Sequence, residues 1–337
     1  MLRAVLLSFL PLITSLSCLD ETGNPVDMWV GLKQPSGTNY LYYEPGQSLS
    51  VSPYSMNDTA HGALTYTTNQ LWSSDVDSYL VFNDEPPGST SYNFSFGHTK
   101  GYFALASDST GFYITHSIPA YPTGPSQSPD YIGLGGNAYT YAQNVLCLSV
   151  NASTLDSLSY KFQLNRPQIY DSKISNTVAQ TYHNISNLAK GKYTTAAICA
   201  NENLATQGGQ IFTIFAKSTQ WNNDLYDSCV ATRLGSDLWV ESWIRGSAEG
   251  PNCPSSGYTT LDIQAVDFGS GISWSETKDH SKWCVAVNVS TWCMGDINRM
   301  TTQYSRGGGT TCIQDSELFD ALVKASIQTD SCSKTNV

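Results

Sequence analysis

The sequence predicts a mixed α/β chain made of two related halves, and three observations carry that expectation. Its 337 residues are about twice an ordinary domain of ~150. Short β-rich runs are interspersed with helical patterns, which places strands and helices in shared layers. The tripeptide His98-Thr99-Lys100 returns as His280-Ser281-Lys282, 182 residues later.

In chain order, the β-rich runs at 27–32, 111–115, 145–150, 211–215 and 283–289 read as strands. Helical patterns occupy 177–190, 225–234 and 316–327. The last is the clearest, because Leu318, Phe319, Leu322, Val323 and Ile327 form one apolar face. Gly/Pro/Ser clusters at 35–37, 85–88 and 122–129 read as loops. A weaker echo of the repeat sets Lys33, Asn39, Leu41 and Tyr42 against Lys217, Asn223, Leu225 and Tyr226 at a shift of 184. It is weaker because Leu41 reads as hairpin and Leu225 as the start of a helix. The seam is expected between about 170 and 205 and is set at 185/186, giving halves 18–185 and 186–337 behind a leader at 1–17.

That leader carries Arg3, an apolar stretch over 4–13 and the small-x-small end Ser15-Leu16-Ser17, the pattern of a signal peptide. The stretch is too short for a span that needs about 20 apolar residues. Five sequons, at Asn57, Asn93, Asn151, Asn184 and Asn288, agree with a secretory route and are expected to be glycosylated. Nine cysteines then read as disulfides with one thiol left over. No CxxC pair or Cys/His group has zinc-finger spacing, so no structural metal is expected. Apolar residues make up 40%, enough for a sizeable core. Seventeen basic against 28 acidic residues give −11, and removal of Arg3 with the leader gives −12. That balance excludes an extended basic nucleic-acid surface.

Three of the five histidines fall in the repeated pattern. In a strand, residues i and i+2 share a face, so each His and its Lys project together. Fifteen residues after each Lys stands a further polar side chain, His116 in one copy and Asn298 in the other. If a pseudo-two-fold brings the copies together, four cationic donors meet in one small volume and attract a phosphodiester even on an acidic protein. A neutral imidazole attacks phosphorus, and a protonated one donates to the leaving oxygen. The lysines, His116 and Asn298 would hold the non-bridging oxygens as charge builds. Neither a metal nor another cofactor is needed. Two imidazoles sharing one proton favour mildly acidic solution.

The stretches LDETGNPVD at 19–27, HTKG at 98–101, HSIP at 116–119, DHSKWC at 279–284, GDINR at 295–299 and RGGGT at 306–310 closely resemble the deoxyribonuclease II family, from Cys18 to Cys332. The resemblance implies a phospholipase D-like fold, with two α/β/α sandwich halves sharing one site at their junction. It also implies an acid, metal-independent endonuclease of lysosomes or secretions that leaves 3′-phosphate and 5′-hydroxyl ends through a phosphohistidine. DNA is the expected partner, with no membrane anchor, and a homodimer is compatible with it. Carried over, His98, Lys100, His280 and Lys282 are catalytic, with His116 and Asn298 as phosphate ligands. His98 is the first choice as nucleophile, although the near-symmetry makes the roles interchangeable. The same resemblance pairs Cys18 with Cys147, Cys253 with Cys332 and Cys293 with Cys312. Cys199–Cys229 is the remaining choice, leaving Cys284 free. The phospholipase D motif proper has Asp five residues past each Lys, where this chain has Leu105 and Val287. That departure weighs against a phosphodiesterase acting on lipid. A second class, a secreted paralogue that binds DNA or a host factor without cleaving, is disfavoured because all four motif residues are present.

Other motifs read more plainly. Gly133-Leu134-Gly135-Gly136-Asn137-Ala138 matches a dinucleotide fingerprint by letter but lacks a βαβ setting, and a glycine turn before a short helix explains it. Arg306-Gly307-Gly308-Gly309 reads as an anion nest or as a tight turn between Cys293 and Cys312. His61 and His183 read as surface residues.

Overall fold

A computed structural model describes residues 15–89 and 93–332; residues 1–14 of the expected leader lie outside this range. A short ribbon of β1 (Cys18–Leu19) and β2 (Pro25–Val26) precedes the main body. The next elements are β3 (Met28–Lys33), β4 (Asn39–Tyr43), β5 (Ser50–Ser55), α1 (Ala63–Asn69), β6 (Val76–Phe82), β7 (Gly101–Ala106) and β8 (Thr110–His116). They are followed by β9 (Gln143–Asn151), α2 (Ala152–Asn165), β10 (Ile169–Lys173), α3 (Asn176–Thr181) and α4 (His183–Ala189). Then come β11 (Cys199–Ala205), β12 (Ile211–Lys217), a wide π-helical turn over Tyr226–Ala231, and α5 (Thr232–Leu234). The chain continues through β13 (Leu238–Glu241), β14 (Thr260–Asp267), β15 (Ser273–Ser275), β16 (Trp283–Ala286) and β17 (Thr291–Gly295). It ends with β18 (Gly308–Gln314), α6 (Ser316–Ala325) and β19 (Ser326–Thr329).

Two large sheets result. The first runs β10-β6-β7-β8-β9-β3-β4-β5, and the second runs β15-β14-β13-β16-β17-β18-β12-β11, with β19 also pairing β14. Five strands correspond in both sheet order and chain order, β6-β7-β8-β9-β3 and β13-β16-β17-β18-β12, and each His-x-Lys immediately precedes the second of them, β7 or β16. The flanks differ: β10 lies antiparallel to β6, whereas β14 lies parallel to β13. Lys33 and Lys217 end the matching strands β3 and β12, so that part of the weak echo has a structural counterpart. Each buried ammonium donates only to backbone carbonyls, Gln34 and Gly37 at 2.6 and 2.8 Å, or Gln303 and Tyr304 at 2.9 and 2.7 Å. Burial pushes both down to about 8. Leu41 and Leu225 have no such match, one lying on β4 and the other opening the π-helical turn.

Strand alternation explains the layers. Leu80 and Phe82 point into a core shared by the two sheets, while Val81 points to the outer face of the first sheet. Trp283 and Val285 likewise face the shared core, and Cys284 and Ala286 the outer face of the second sheet. Leu155, Leu158 and Phe162 of α2 and Leu318, Phe319 and Leu322 of α6 complete the shared layer.

The expected helices need correction. The 177–190 pattern is two helices broken at Tyr182, because Asp156 of α2 accepts the amides of Asn184 and Ile185 at 2.8 and 3.0 Å and starts α4 afresh. The 225–234 pattern begins as the π-helical turn, with Asp224 accepting the Tyr226 and Asp227 amides. The 316–327 helix stops at Ala325, so Ile327 lies exposed on β19 and not on the apolar face. The 283–289 strand ends at Ala286. The first sheet ends at Lys173 and the second begins at Cys199, so the 185/186 seam falls inside α4.

Disulfides join Cys18–Cys147, Cys199–Cys229, Cys253–Cys332 and Cys293–Cys312, and Cys284 is a buried free thiol. Asn93, Asn151 and Asn288 are exposed; Asn57 and Asn184 are half-buried. The Asn184 side chain donates to Asp156 at 2.9 Å.

Candidate active site

The two His-x-Lys motifs meet where the sheets abut, and each is gripped by backbone from the other half. The His98 amide donates to the Gly307 carbonyl at 2.8 Å, just before β18. The His280 amide donates to the Ala142 carbonyl at 3.0 Å, just before β9, the matching strand. The Lys100 amide reaches Asp296 Oδ2 at 3.3 Å, and the Lys282 amide reaches Asn144 Oδ1 at 2.7 Å. Asp296 also accepts from the Gly309 amide at 3.0 Å and from the Thr99 hydroxyl. Neither motif can hold this geometry without the opposite half.

His98 and His280 both line one cleft of about 580 Å³, with Gln143, Trp243, Arg245 and Asn298. Lys100 and Lys282 sit behind them, fully buried. His98 Nε2 lies 3.5 Å from Lys100 Nζ, and Lys282 Nζ donates to the His280 carbonyl. His116 is buried at the end of β8, with Nδ1 accepting the Ile118 amide at 3.1 Å and Nε2 lacking a partner. Asn298 Oδ1 also lacks one, in both cases among the described residues. His61 and His183 are exposed and outside the cleft.

The electrostatics are lopsided toward positive charge. Burial, followed by Lys100, Arg306 and Lys282, holds His98 well below the ordinary imidazole value. Burial, Lys282 and Lys100 do the same to His280. Burial and Lys100 depress His116 to about 3. Lys282 is held well below the ordinary ammonium value by burial and Lys100. With its imidazoles neutral, the site can offer a nucleophile; an arriving phosphodiester anion raises their proton affinity.

Several partners carry no sequence motif. Asp84 is buried and accepts from Lys100 Nζ and, at 3.0 Å, from Arg306 Nη2. Its Oδ2 lies 3.7 Å from His98 Nε2. On the other side Trp243 packs edge-on against His280 at 5.4 Å, backed by Tyr141 and by Arg245 stacked 4.8 Å over its ring. Behind Asn298, buried Arg299 pairs with Asp262 at 3.0 Å and approaches Asp227 at 3.8 Å, with Asp224 and Glu249 close by.

The glycine run is neither a nest nor a simple turn. Gly308 and Gly309 enter β18, and a Cβ on Gly307 would lie 2.2 Å from the Asn165 carbonyl oxygen at the end of α2. We expect Gly307→Ala to cost about 1–3 kcal/mol and to pull the Gly307 carbonyl from the His98 amide, lowering kcat. Unchanged kcat alongside a lowered unfolding midpoint would separate packing from site geometry. The 133–138 glycines form a turn into a short 3₁₀ helix over Gly136–Tyr139.

The family model described as Deoxyribonuclease II matches residues 17–332. The chain is 32% identical to "Deoxyribonuclease-2" of Caenorhabditis elegans over 90% of its length and 91% of that relative. It is 32% identical to "Deoxyribonuclease-2-alpha" of Rattus norvegicus over 92% and 94%. "Cell death-related nuclease 6" of C. elegans matches at 30% over 94% and 89%.

Proposed function

The chain belongs to the deoxyribonuclease II family, and from that premise we propose an acid, metal-independent endodeoxyribonuclease that works through a phosphohistidine. DNA is the substrate, and the products carry 3′-phosphate and 5′-hydroxyl ends. The halves are read as phospholipase D-like, related by a pseudo-two-fold through the cleft; the matching strand orders support this. One chain supplies both motifs, so the reaction requires no second copy, and a homodimer would carry two complete sites. The protein acts in lysosomes or outside the cell after removal of residues 1–17. Among the described residues no helix is long and apolar enough to cross a membrane.

The observation that carries the reading is the convergence of His98 and His280 on one cleft, with Lys100 and Lys282 behind them. One neutral imidazole attacks phosphorus while the other, protonated, gives its proton to the leaving 5′ oxygen. Lys100, Lys282, His116 and Asn298 receive the non-bridging oxygens. Both catalytic imidazoles are held below 6.5, so the proton-donating form gains population as pH falls, and the rate rises into the acid range. Plasmid cleavage near pH 5 in excess EDTA is the test. Persistence of nicking supports the mechanism; a complete requirement for added divalent metal, or a rate that climbs from pH 5 to 8, sinks it.

A further inference from the structure

The two motifs match, but the places beside them differ in chemistry. Phe82 pairs with Gly101 and Glu241 with Trp283, and each of those partners directly follows its motif lysine. Asp84 and Trp243, two residues further on, therefore hold matching places. Gly307 and Ala142 accept the two histidine amides, so Arg306 and Tyr141, one residue earlier, match as well. Beside His98 these places carry an ion pair, Asp84 with Arg306 at 3.0 Å. Beside His280 they carry two rings, Trp243 and Tyr141, edge to face with centroids 4.7 Å apart. Arg245 adds a planar cation to the ring side: its guanidinium lies over Trp243, and its Nη2 donates to the Thr277 carbonyl at 2.7 Å. Among the described residues that line the cleft, Arg245 is the one Lys or Arg. The rings are not core packing, since Tyr141 and Trp243 are only half-buried, Arg245 is exposed and all three open on the cleft.

We propose that Trp243, held in place by Tyr141 and Arg245, stacks a nucleobase that flanks the phosphodiester under attack. This rests on the nuclease reading above and adds a nucleobase subsite to it. A base lies one sugar away from its phosphate, and the Trp243 ring lies against His280, so a phosphate at the imidazoles brings a flanking base to the indole. Stacking on a ring strengthens binding by about 10- to 100-fold per base and serves every base, because each has a π face. The Arg245 guanidinium adds positive charge to the same wall, where the strand's phosphates pass. A base on the indole has left its own helix, so the subsite takes unpaired DNA or opens the duplex by one base. The ion pair at the matching places offers no ring, so one flanking base is held and the other is not.

A cycle between ring and base tests this. The substrate is an end-labelled single-stranded oligonucleotide with one central nucleotide replaced by a tetrahydrofuran abasic residue, and cuts at each linkage are compared with those in the unmodified parent at pH 5. In wild type, cutting at one of the two linkages flanking the abasic residue should fall about 10-fold or more, while the other stays near the parent rate. Trp243→Ala should cut the parent about 10-fold or more slowly and show no further fall beside the abasic residue. Trp243→Phe, which keeps a ring, should regain most of the rate and the abasic sensitivity. A ring that only buttresses His280 would leave the abasic sensitivity of Trp243→Ala equal to that of wild type, and this result overturns the subsite with the nuclease reading intact. So does wild-type cutting that ignores the abasic residue on both sides. No cutting of the parent by wild type removes the nuclease reading and the subsite with it.

Discussion

Either imidazole of the cleft, replaced singly by alanine, is expected to lower kcat by about four to six orders of magnitude, while KM changes little. The size follows from shared labour. On the proposed phosphohistidine route, no covalent intermediate forms without the nucleophile, and the 5′ alkoxide departs unprotonated without the acid. Residues that act as one unit do not contribute additively, so His98→Ala/His280→Ala should be little worse than either single variant. Lys100→Ala and Lys282→Ala should cost less, about 10²–10³-fold, because each removes one stabilising charge and not a bond-making group. Steady-state cleavage of a defined duplex at pH 5 reads all five. Wild-type turnover in His280→Ala would remove the cleft from the chemistry altogether.

The parts of this site visible in the sequence are those fixed by local spacing. His-x-Lys is a strand-edge pattern, and its repetition locates the corresponding strands β7 and β16 of the two sheets. What escaped was set by contacts between distant segments. Asp84 stands against a Pro-rich loop, 16 residues before Lys100 and 222 before Arg306, so no local pattern marks it. Gln143 follows a bridge to the other half and resembles any polar residue at the start of a strand. Helix α2 was missed because Ser153, Thr154, Ser157 and Ser159 dilute its apolar stripe and because it follows β9 without a loop. Asn151 marked its start all the same, capping the Thr154 amide at 2.9 Å. The glycine run reads equally as an anion nest or a tight turn and is a close-packed strand start, a distinction only the approach of Asn165 and Phe215 could make.

The acidic composition also acquires a different meaning. Seven of the 28 carboxyl groups are buried, several of them beside the site. Glu241 is fully buried without a hydrogen-bond partner among the described residues, and burial together with Asp279 raises it well above the carboxylate range. Asp224 is pushed up to about 7, and Asp262 and Asp296 to about 6, by burial in each case. Such groups take up protons as the protein folds in mildly acidic solution.

Asp84→Asn is expected to be the most destabilising conservative substitution near the cleft. The carboxamide keeps the shape but leaves Lys100 and Arg306 buried without their anion, and breaking a buried pair from one side costs about 3–5 kcal/mol. Burial alone would raise the Asp84 carboxyl, but Lys100 and Arg306 outweigh it and hold it below 3.8. A depressed acid contributes stability above its unfolded value and loses it as pH falls through the folded one, so this contribution disappears only below about pH 4. Asp224, Asp262 and Asp296 run the other way. Their raised values give stability that is full below about pH 4 and lost as pH rises through 6–7. Both sets are at full strength together only near pH 4, where wild-type stability should peak before declining toward pH 7. Asp84→Asn should be less stable at that maximum yet lack the decline on its acid side. Denaturant unfolding from pH 3 to 7 reads both features; curves for wild type and variant that run parallel would mean that Asp84 does not carry the charge its neighbours require.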